Sequence, residues 1–202
     1  MLRVGITGGI GSGKSIACRI FSCLGIPVYD ADLAAKKMMN EQVELHDELI
    51  RHFGKEVFNE EGILNRSHLA KIVFNDENQL NKLNQLVHPY VMKDYEMWTQ
   101  TLNGAPYSIR EAAILIESGT YYDLDCILLV EAPEELRIKR VMERDQRSRK
   151  EVKAIISRQW TSEEKKKFAT FSILNDEQQA LIPQVLHLHE LLKLKSENKE
   201  SS

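Results

Sequence analysis

Short apolar runs alternate with helical patterns along most of the chain. The first run, Leu2–Thr7, has apolar residues at alternate positions and predicts a β-strand. Apolar residues then recur at spacings of one, three and four, as on one face of a helix, at Ile16, Ala17, Ile20, Phe21 and Leu24. Gly25 and Pro27 follow, and both are typical of a helix end.

Four further strands are predicted at 26–29, 107–116, 126–130 and 171–174. The run 126–130 is apolar throughout, as in a strand buried on both faces of a parallel sheet. A last helix is expected over 177–194, followed by a polar, frayed tail at 195–202. Strands that alternate with helices predict an α/β fold, with a parallel sheet and helices on both faces.

The region 36–104 differs because its patterns are helical and its turns polar. We expect it to form a helical insert between the core segments 1–35 and 105–202. A short helix is expected at 33–39, across the start of this region. Within it, a helix is expected to end before Pro89, since the residue before a proline avoids the helical conformation.

Composition is that of a globular protein, with 28% charged and 43% apolar residues among 202. The net charge of −3 gives no global bias toward nucleic acid or membrane surfaces. No apolar run reaches the ~20 residues of a membrane helix, and no signal peptide is recognisable. Three cysteines without C-x-x-C spacing indicate reduced thiols in a cytoplasmic protein.

The segment Gly8–Ser15 is the motif that says most about function. It fits G-x-x-x-x-G-K-[ST], and it lies between a predicted strand and a predicted helix, which is the context this phosphate-binding loop needs. Its glycines let the backbone form a nest of N–H groups for anions. Lys14 supplies a cation for the β- and γ-phosphates, and the Ser15 hydroxyl is placed to ligate Mg²⁺.

Further polar residues follow other predicted strands, near the same edge of the sheet as this loop. Asp30 and Asp32 follow strand two, and Glu117 follows strand three. Phosphoryl transfer needs a base or orienting group near the acceptor hydroxyl, and Asp32 is the candidate. Either aspartate could instead cap the helix that follows, and by position alone the capping role suits Asp32 at least as well.

Basic residues dominate the segment 137–158. Arg137, Arg140 and Arg144 fall on one face of a predicted helix. The segment 144–150 is too polar for a core, and together with the basic face it suggests a lid, at about 144–158, that closes arginines over phosphates and excludes water. The alternative is an ordinary solvated basic helix face.

Two residues of the helical region leave alternatives open. His88 could contact an acceptor or end the helix before Pro89. Arg66 could contact a phosphate or pantetheine group or be a surface charge.

Taken together, the motifs resemble those of the dephospho-CoA kinase family over nearly the whole chain. The matching segments are Thr7–Ser15, Asp30-Ala31-Asp32, His88-Pro89, Ile114-Leu115-Ile116-Glu117 and Arg140-x-x-x-Arg144-Asp145. The resemblance implies a P-loop, three-layer αβα core with a five-stranded parallel sheet, a lid at about 144–158 and a helical CoA-binding domain at 36–104. It also implies ATP-dependent phosphorylation of the ribose 3′-hydroxyl of dephospho-CoA, the last step of coenzyme A synthesis.

The resemblance also assigns roles to single residues. Asp32 is implied as catalytic base, with Lys14 and Arg140 as further catalytic groups and Ser15 as the Mg²⁺ ligand. ATP is expected at Gly8, Gly9, Ile10, Gly11, Ser12, Gly13, Lys14, Ser15, Ile16, Arg144 and Asn175. The acceptor is expected at Thr7, Asp32, Arg66, His88 and Glu117.

Four positions depart from the usual family pattern. Ile16 stands where threonine is usual, Glu111 and Ala113 where aspartate and proline are frequent, and Glu177 where glycine follows the late asparagine. Glu111 keeps the carboxylate of the usual aspartate, but its longer side chain places that carboxylate differently.

Two other functions remain as alternatives. One is a nucleoside or nucleotide kinase on the same core, and the other is a non-catalytic, nucleotide-dependent switch. For the leading hypothesis the expected partner is dephospho-CoA, with no nucleic acid, no membrane and no obligate protein partner.

Overall fold

The structure is a computed structural model that describes residues 1–74 and 76–200. Its strands are β1 (Leu2–Thr7), β2 (Val28–Asp30), β3 (Tyr107–Glu111), β4 (Cys126–Glu131) and β5 (Phe171–Leu174). Its helices are α1 (Lys14–Cys23), α2 (Ala31–Glu41), α3 (Val43–Phe53), α4 (Arg66–Phe74), α5 (Glu77–Gln100), α6 (Glu134–Asp145), α7 (Arg149–Ile156), α8 (Ser162–Lys166) and α9 (Leu181–Glu200), with a 3₁₀ helix at Lys55–Val57.

The strands form one parallel sheet in the order β2-β3-β1-β4-β5. This confirms the α/β fold with a five-stranded parallel sheet. Glu111 at the end of β3 is in register with Ile6 of β1 on one side and with Asp30 of β2 on the other. The carboxyl ends of these three strands therefore meet at one edge, where α/β folds bind their ligands.

Two compact units make up the chain. The first comprises Met1–Asp30 and the described part of Leu102–Ser202, and contains the sheet with α1 and α6–α9. The second comprises Ala31–Thr101 and contains α2–α5.

One face of the sheet is covered by α1 and α9, which also pack on each other. Alternate residues of the strands enter this layer, because successive side chains of a strand point to opposite faces. The layer joins Val4 and Ile6 of β1 to Phe21 of α1 and Val185 of α9, all completely buried. It is the main apolar core of the first unit.

The opposite face is covered in part by turns. Strand β3 ends at Glu111, and residues 113–123 form successive turns, so the prediction that this strand continues to Ile116 was wrong. Ala112, Leu115 and Ile116 beyond Glu111 are nevertheless buried, and Leu115 reaches the sheet beside Gly5, where a Cβ would collide with it. The buried Arg110 fixes the turns through Asp123, with Nη2 2.7 Å from Oδ1.

The chain end is held more firmly than expected. Helix α9 continues to Glu200, so the frayed tail expected from 195 was wrong for residues 195–200, while 201 and 202 lie outside the described residues. Buried Ser196 donates to the carbonyl of Pro106, and Lys199 Nζ lies 2.6 Å from Asp125 Oδ1. These contacts bind the last turns to the loops at the amino-terminal edge of the sheet.

Helix α5 is the longest element of the second unit, and α2, α3 and α4 pack against it. Its N-cap is Asp76, whose carboxylate accepts hydrogen bonds from the amides of Asn78 and Gln79 at 2.9 and 3.2 Å. Its buried residues recur every four positions, at Val87, Val91, Tyr95 and Thr99. A spacing of four places these residues on one face of the helix.

Two boundaries in this unit differ from expectation. Helix α5 passes through Pro89, so the predicted end before this proline was wrong. Proline removes the amide that would bond the carbonyl of Gln85, but both residues lie on the exposed face, where water can satisfy that carbonyl. Helix α2 begins at Ala31, earlier than the predicted 33–39, so Asp30 directly precedes the helix and Asp32 lies in its first turn.

No helix in the ranges 1–74 and 76–200 combines the length and apolar character that a membrane span requires.

Candidate active site

The loop between β1 and α1 has the backbone conformation that its glycines predict. Gly11 and Gly13 have φ of 78° and 95°, which residues with a side chain rarely adopt. A Cβ at Gly11 would also lie 2.5 Å from the carbonyl oxygen of Arg137, and one at Gly13 would collide with the amide of Asn175. Conformation and lack of space therefore both require glycine here.

Helix α1 starts inside the motif, with Gly13 at its N-cap and Lys14 as its first residue. The first amides of a helix have no acceptor within the helix and carry a partial positive charge, which favours an anion. The Lys14 ammonium donates a 2.8 Å hydrogen bond to the carbonyl of Gly8, so the cation lies beside the loop. Backbone amides and Lys14 together form an anion-binding site.

The end of β3 contributes a carboxylate to the same site. The Ser15 hydroxyl donates a 2.9 Å hydrogen bond to Glu111 Oε1. The Cys18 thiol, one helical turn further along α1, is buried next to this pair, and burial together with the Glu111 charge raises the pKa of the thiol. Cys18 is therefore neutral, and it is not a nucleophile at this site.

The donor set at Ser15 and Glu111 fits Mg²⁺. Hydroxyl and carboxylate oxygens are hard ligands, and Mg²⁺ usually keeps several waters while it binds one or two carboxylates. In the part of the chain that the structure describes, His, Cys, Asp and Glu form no cluster of three that could cage a metal. The arrangement suits a cation that arrives with phosphate groups.

Arg140 of α6 lies against the back of the loop. Its Nη1 donates to the carbonyls of Gly11 and Asn175 at 3.4 and 3.2 Å, and its Nη2 lies 3.1 Å from Glu177 Oε1. Asn175 is buried, and its Nδ2 donates to the carbonyl of Ser12 at 2.9 Å. The end of β5 and helix α6 are thereby fixed to the loop from the side opposite Glu111.

The predicted arginine face is divided in the structure. Arg137 is buried, and burial lowers its pKa; its Nε donates to the carbonyl of Ile10 at 2.9 Å. Arg144 is exposed and pairs with its neighbour Asp145. The predicted lid segment 144–158 contains the end of α6 and the whole of α7, which begins with a capping box at Ser148.

Glu117 lies in the turns after β3 rather than at a strand end. Its Oε1 is 2.7 Å from Lys165 Nζ of α8, and it also accepts from the amide of Trp160 at 3.2 Å. The Lys165 ammonium, only 1% exposed, also donates to the carbonyl of Ala113 at 3.3 Å. Glu117 therefore takes part in a buried ion pair that joins three segments.

Thr7 and Ile16 flank the motif on its two sides. Thr7 is fully buried at the end of β1, and its hydroxyl lies 3.5 Å from the carbonyl oxygen of Ala113. Ile16 follows the motif in α1 and its side chain is exposed.

Three predicted site residues belong to the second unit. Asp32 lies in the first turn of α2, two residues beyond the end of β2. Arg66 is the exposed first residue of α4. His88 is half-buried in α5, and burial lowers its pKa, which favours the neutral imidazole.

Sequence reasoning missed three residues that hold this site together. Arg137 was noted only as part of a basic face, and Gln159 and Lys165 were not considered. Gln159 accepts from the amide of Ile10 at 2.8 Å. Arg137 and Lys165 are buried charges within polar stretches, and no pattern in such a stretch distinguishes them from solvated neighbours.

Comparison with known proteins places this geometry in a family. The model of the dephospho-CoA kinase family matches residues 2–180. A dephospho-CoA kinase of Bacteroides fragilis is 38% identical over 187 residues, which cover 93% of this chain and 91% of that relative. Two solved structures are also similar. TT1252 from Thermus thermophilus has a TM-score of 0.77 and 34% identity, and the match covers 99% of this chain and 95% of that one. A dephospho-CoA kinase from Campylobacter jejuni has a TM-score of 0.69 and 28% identity, and the match covers 96% of this chain and 98% of that one.

Proposed function

The chain belongs to the dephospho-CoA kinase family, and we propose that it transfers the terminal phosphoryl group of ATP to the ribose 3′-hydroxyl of dephospho-CoA. The products are coenzyme A and ADP, and the reaction is the last step of coenzyme A synthesis. The observation that carries the proposal is the family match, which extends over both the phosphate loop and the helical unit.

The phosphate loop is the proposed ATP site. Segment 8–16 supplies backbone amides and the start of α1, which suit the β- and γ-phosphates, except for the amide of Ile10, which is bonded to Gln159. The Lys14 ammonium adds a positive charge that can stabilise the negative charge of the phosphoryl group during its transfer. Arg140 is proposed to offset charge that develops on the phosphate oxygens, and its contact with Gly11 places it at this loop.

Mg²⁺ is proposed as the cofactor, held by Ser15 with Glu111 as the neighbouring carboxylate. When bound, it would neutralise charge on the phosphate oxygens. The chain supplies the Ser15 hydroxyl from α1 and the neighbouring Glu111 carboxylate from β3.

The second unit is proposed to bind the acceptor. Asp32 is proposed as the base that takes the proton of the 3′-hydroxyl, and its support is its position just beyond β2, whose last residue is in register with Glu111. Arg66 and His88 are proposed to contact dephospho-CoA, and neutral His88 can donate or accept a hydrogen bond. Thr7 and Glu117 are proposed as further contacts of the acceptor.

The segment 144–158 is proposed to close over ATP and to exclude water, which would otherwise compete with the acceptor. Arg144 would then leave its surface pair with Asp145 for the phosphates, and Asn175 would lie near the adenine. We also infer a cytoplasmic location, supported by the free thiols of Cys18, Cys23 and Cys126.

A coupled assay of ADP release tests the proposal against its alternatives. With ATP and Mg²⁺, the rate should rise strongly on addition of dephospho-CoA and should not rise with nucleosides or nucleoside monophosphates. Acceleration by one of the latter would indicate a nucleoside or nucleotide kinase. ATP binding without acceleration by any acceptor would indicate a nucleotide-dependent switch.

A further inference from the structure

One residue of the phosphate loop, Ile10, is held entirely from outside the loop. Its amide N–H donates to Gln159 Oε1 at 2.8 Å, and its carbonyl accepts from Arg137 Nε at 2.9 Å. Gln159 lies three residues beyond the end of α7, and Arg137 lies in α6. Both polar groups of this loop residue are therefore bonded by side chains from the α6–α7 region.

The side chain of Ile10 makes the same connection through apolar contacts. It packs on a small buried cluster of Ile138 and Val141 of α6 and Val152 of α7. This cluster is separate from the main core beneath α1 and α9. The loop therefore has its own anchor in α6 and α7, of which only α7 lies wholly within the predicted lid segment 144–158.

The hydrogen bond to Gln159 also determines which amides face the nest. An N–H group bonded at 2.8 Å to a side chain on the outside is not directed to a phosphate on the inside. The guanidinium of Arg137 lies so close to Gly9 that a Cβ there would collide with it. Residues 9–11 are thus fixed from outside, and the amides that remain for the phosphates are oriented as a consequence.

From these contacts we infer that Gln159 is a positioning residue for nucleotide binding. It acts through Ile10 and does not touch the nucleotide, and it couples the end of α7 to the shape of the phosphate loop. The inference rests on the proposed function only in taking ATP as the ligand of that loop.

Gln159→Met tests the inference, because methionine keeps the length of the side chain and lacks the acceptor oxygen. We expect the Kd for ATP·Mg²⁺, measured by calorimetry, to rise about 5- to 30-fold, as for a partly buried donor left unsatisfied. The Kd for dephospho-CoA should change less than about twofold, since the lost bond lies in the loop that holds phosphate.

Thr170→Val is the matched control. The Thr170 hydroxyl also accepts from a backbone amide, that of Ile127 at 3.2 Å, but at the amino end of β4, away from the phosphate loop. This variant should be destabilised to a similar extent and should keep the wild-type Kd for ATP. If Gln159→Met loses stability as Thr170→Val does and also keeps its affinity for ATP, its role is only structural and the inference fails. An equal loss of affinity for both substrates also overturns it.

Amide hydrogen exchange of Ile10, followed by NMR, gives a readout that is independent of kinase activity. Exchange should be slow in the wild-type protein and about 10-fold faster or more in Gln159→Met. Gln159→Glu keeps an acceptor oxygen and should retain slow exchange, which covers the case in which the methionine variant does not fold. Fast exchange in Gln159→Glu, or unchanged exchange in Gln159→Met, contradicts the inference. If the wild-type protein binds no ATP, the proposed function fails while the exchange result still decides whether Gln159 holds the loop.

Discussion

The Ser15 hydroxyl donates a 2.9 Å hydrogen bond to Glu111 Oε1. The two residues are 96 positions apart in sequence. They meet because β3 lies beside β1 in the parallel sheet, so the end of β3 reaches the loop that follows β1. The pair brings a hydroxyl and a carboxylate to the phosphate loop, the two kinds of oxygen ligand that Mg²⁺ accepts.

Glu111→Gln should make the reaction depend on more Mg²⁺. Glutamine can still accept the Ser15 hydrogen bond, so the loop keeps its shape, but the negative charge that favours the cation is lost. We expect the Mg²⁺ concentration that gives the half-maximal rate to rise about 10- to 100-fold, the range for losing a group that supports a metal ligand. Initial rates over a Mg²⁺ titration would measure the change.

Glu190→Gln serves as the control for this charge removal. Glu190 is 65% exposed on α9 and pairs with Lys193. Its variant should show the wild-type Mg²⁺ dependence. If Glu111→Gln behaves in the same way, the carboxylate has no role in binding the cation.

Asp32→Asn should lower turnover by about 10²- to 10⁴-fold, the usual effect of a lost general base. The Kd for ATP should remain close to the wild-type value, because Asp32 lies outside the phosphate loop. Single-turnover rates and calorimetry would give the two quantities separately. Asp47→Asn, at an exposed position of α3, is the control, and wild-type turnover in Asp32→Asn would exclude the role.

The sequence was sufficient to predict the parallel sheet and the phosphate loop, because both rest on local patterns. It was not sufficient to place the end of β3, since Leu115 is buried in a turn as completely as it would be in a strand. The apolar pattern indicates which residues are buried, and it does not distinguish a buried turn from a buried strand. Pro89 was likewise taken as a helix end, although its carbonyl partner is exposed and can be hydrated.

The candidate site shows the same limit in its polar contacts. Lys14 and Ser15 are fixed by a contiguous motif and could be identified from it. Gln159 and Lys165 act on groups more than 40 positions away, namely Ile10 and Glu117. Such contacts depend on the packing of α7 and α8, and no local spacing indicates them.

Lys14→Met should weaken ATP binding and leave dephospho-CoA binding nearly unchanged. The variant keeps the length of the side chain and removes a charged donor, which is worth about a 10- to 100-fold change in Kd. Calorimetry with each substrate alone would separate the two affinities. Lys193→Met, on the surface of α9, controls for the loss of a positive charge, and an unchanged Kd for ATP in Lys14→Met would refute the assignment.

His88 should make the stability of the helical unit depend on pH. Burial lowers the pKa of His88 in the folded protein below its ordinary value of about 6.5. The unfolded chain therefore binds more protons in this window, and the free energy of unfolding should decrease as the pH falls through 6.5 and then through the folded pKa. Urea unfolding at pH 7.5 and 5.5 would show the loss.

His88→Gln removes this titration, so part of the difference between the two pH values should disappear. An unchanged difference would mean that other groups cause it.

Lys165→Met should destabilise the protein strongly, because it leaves the Glu117 carboxylate buried without its cation. Lys165 is 1% and Glu117 12% exposed, and breaking such a pair costs about 3–5 kcal/mol. Replacing both partners, as Lys165→Met with Glu117→Leu, should restore part of the free energy of unfolding, since no isolated charge remains in the interior. Urea unfolding of the wild type, the single variant and the double variant would measure these differences. A double variant less stable than Lys165→Met would show that Glu117 contributes to stability by contacts other than this ion pair.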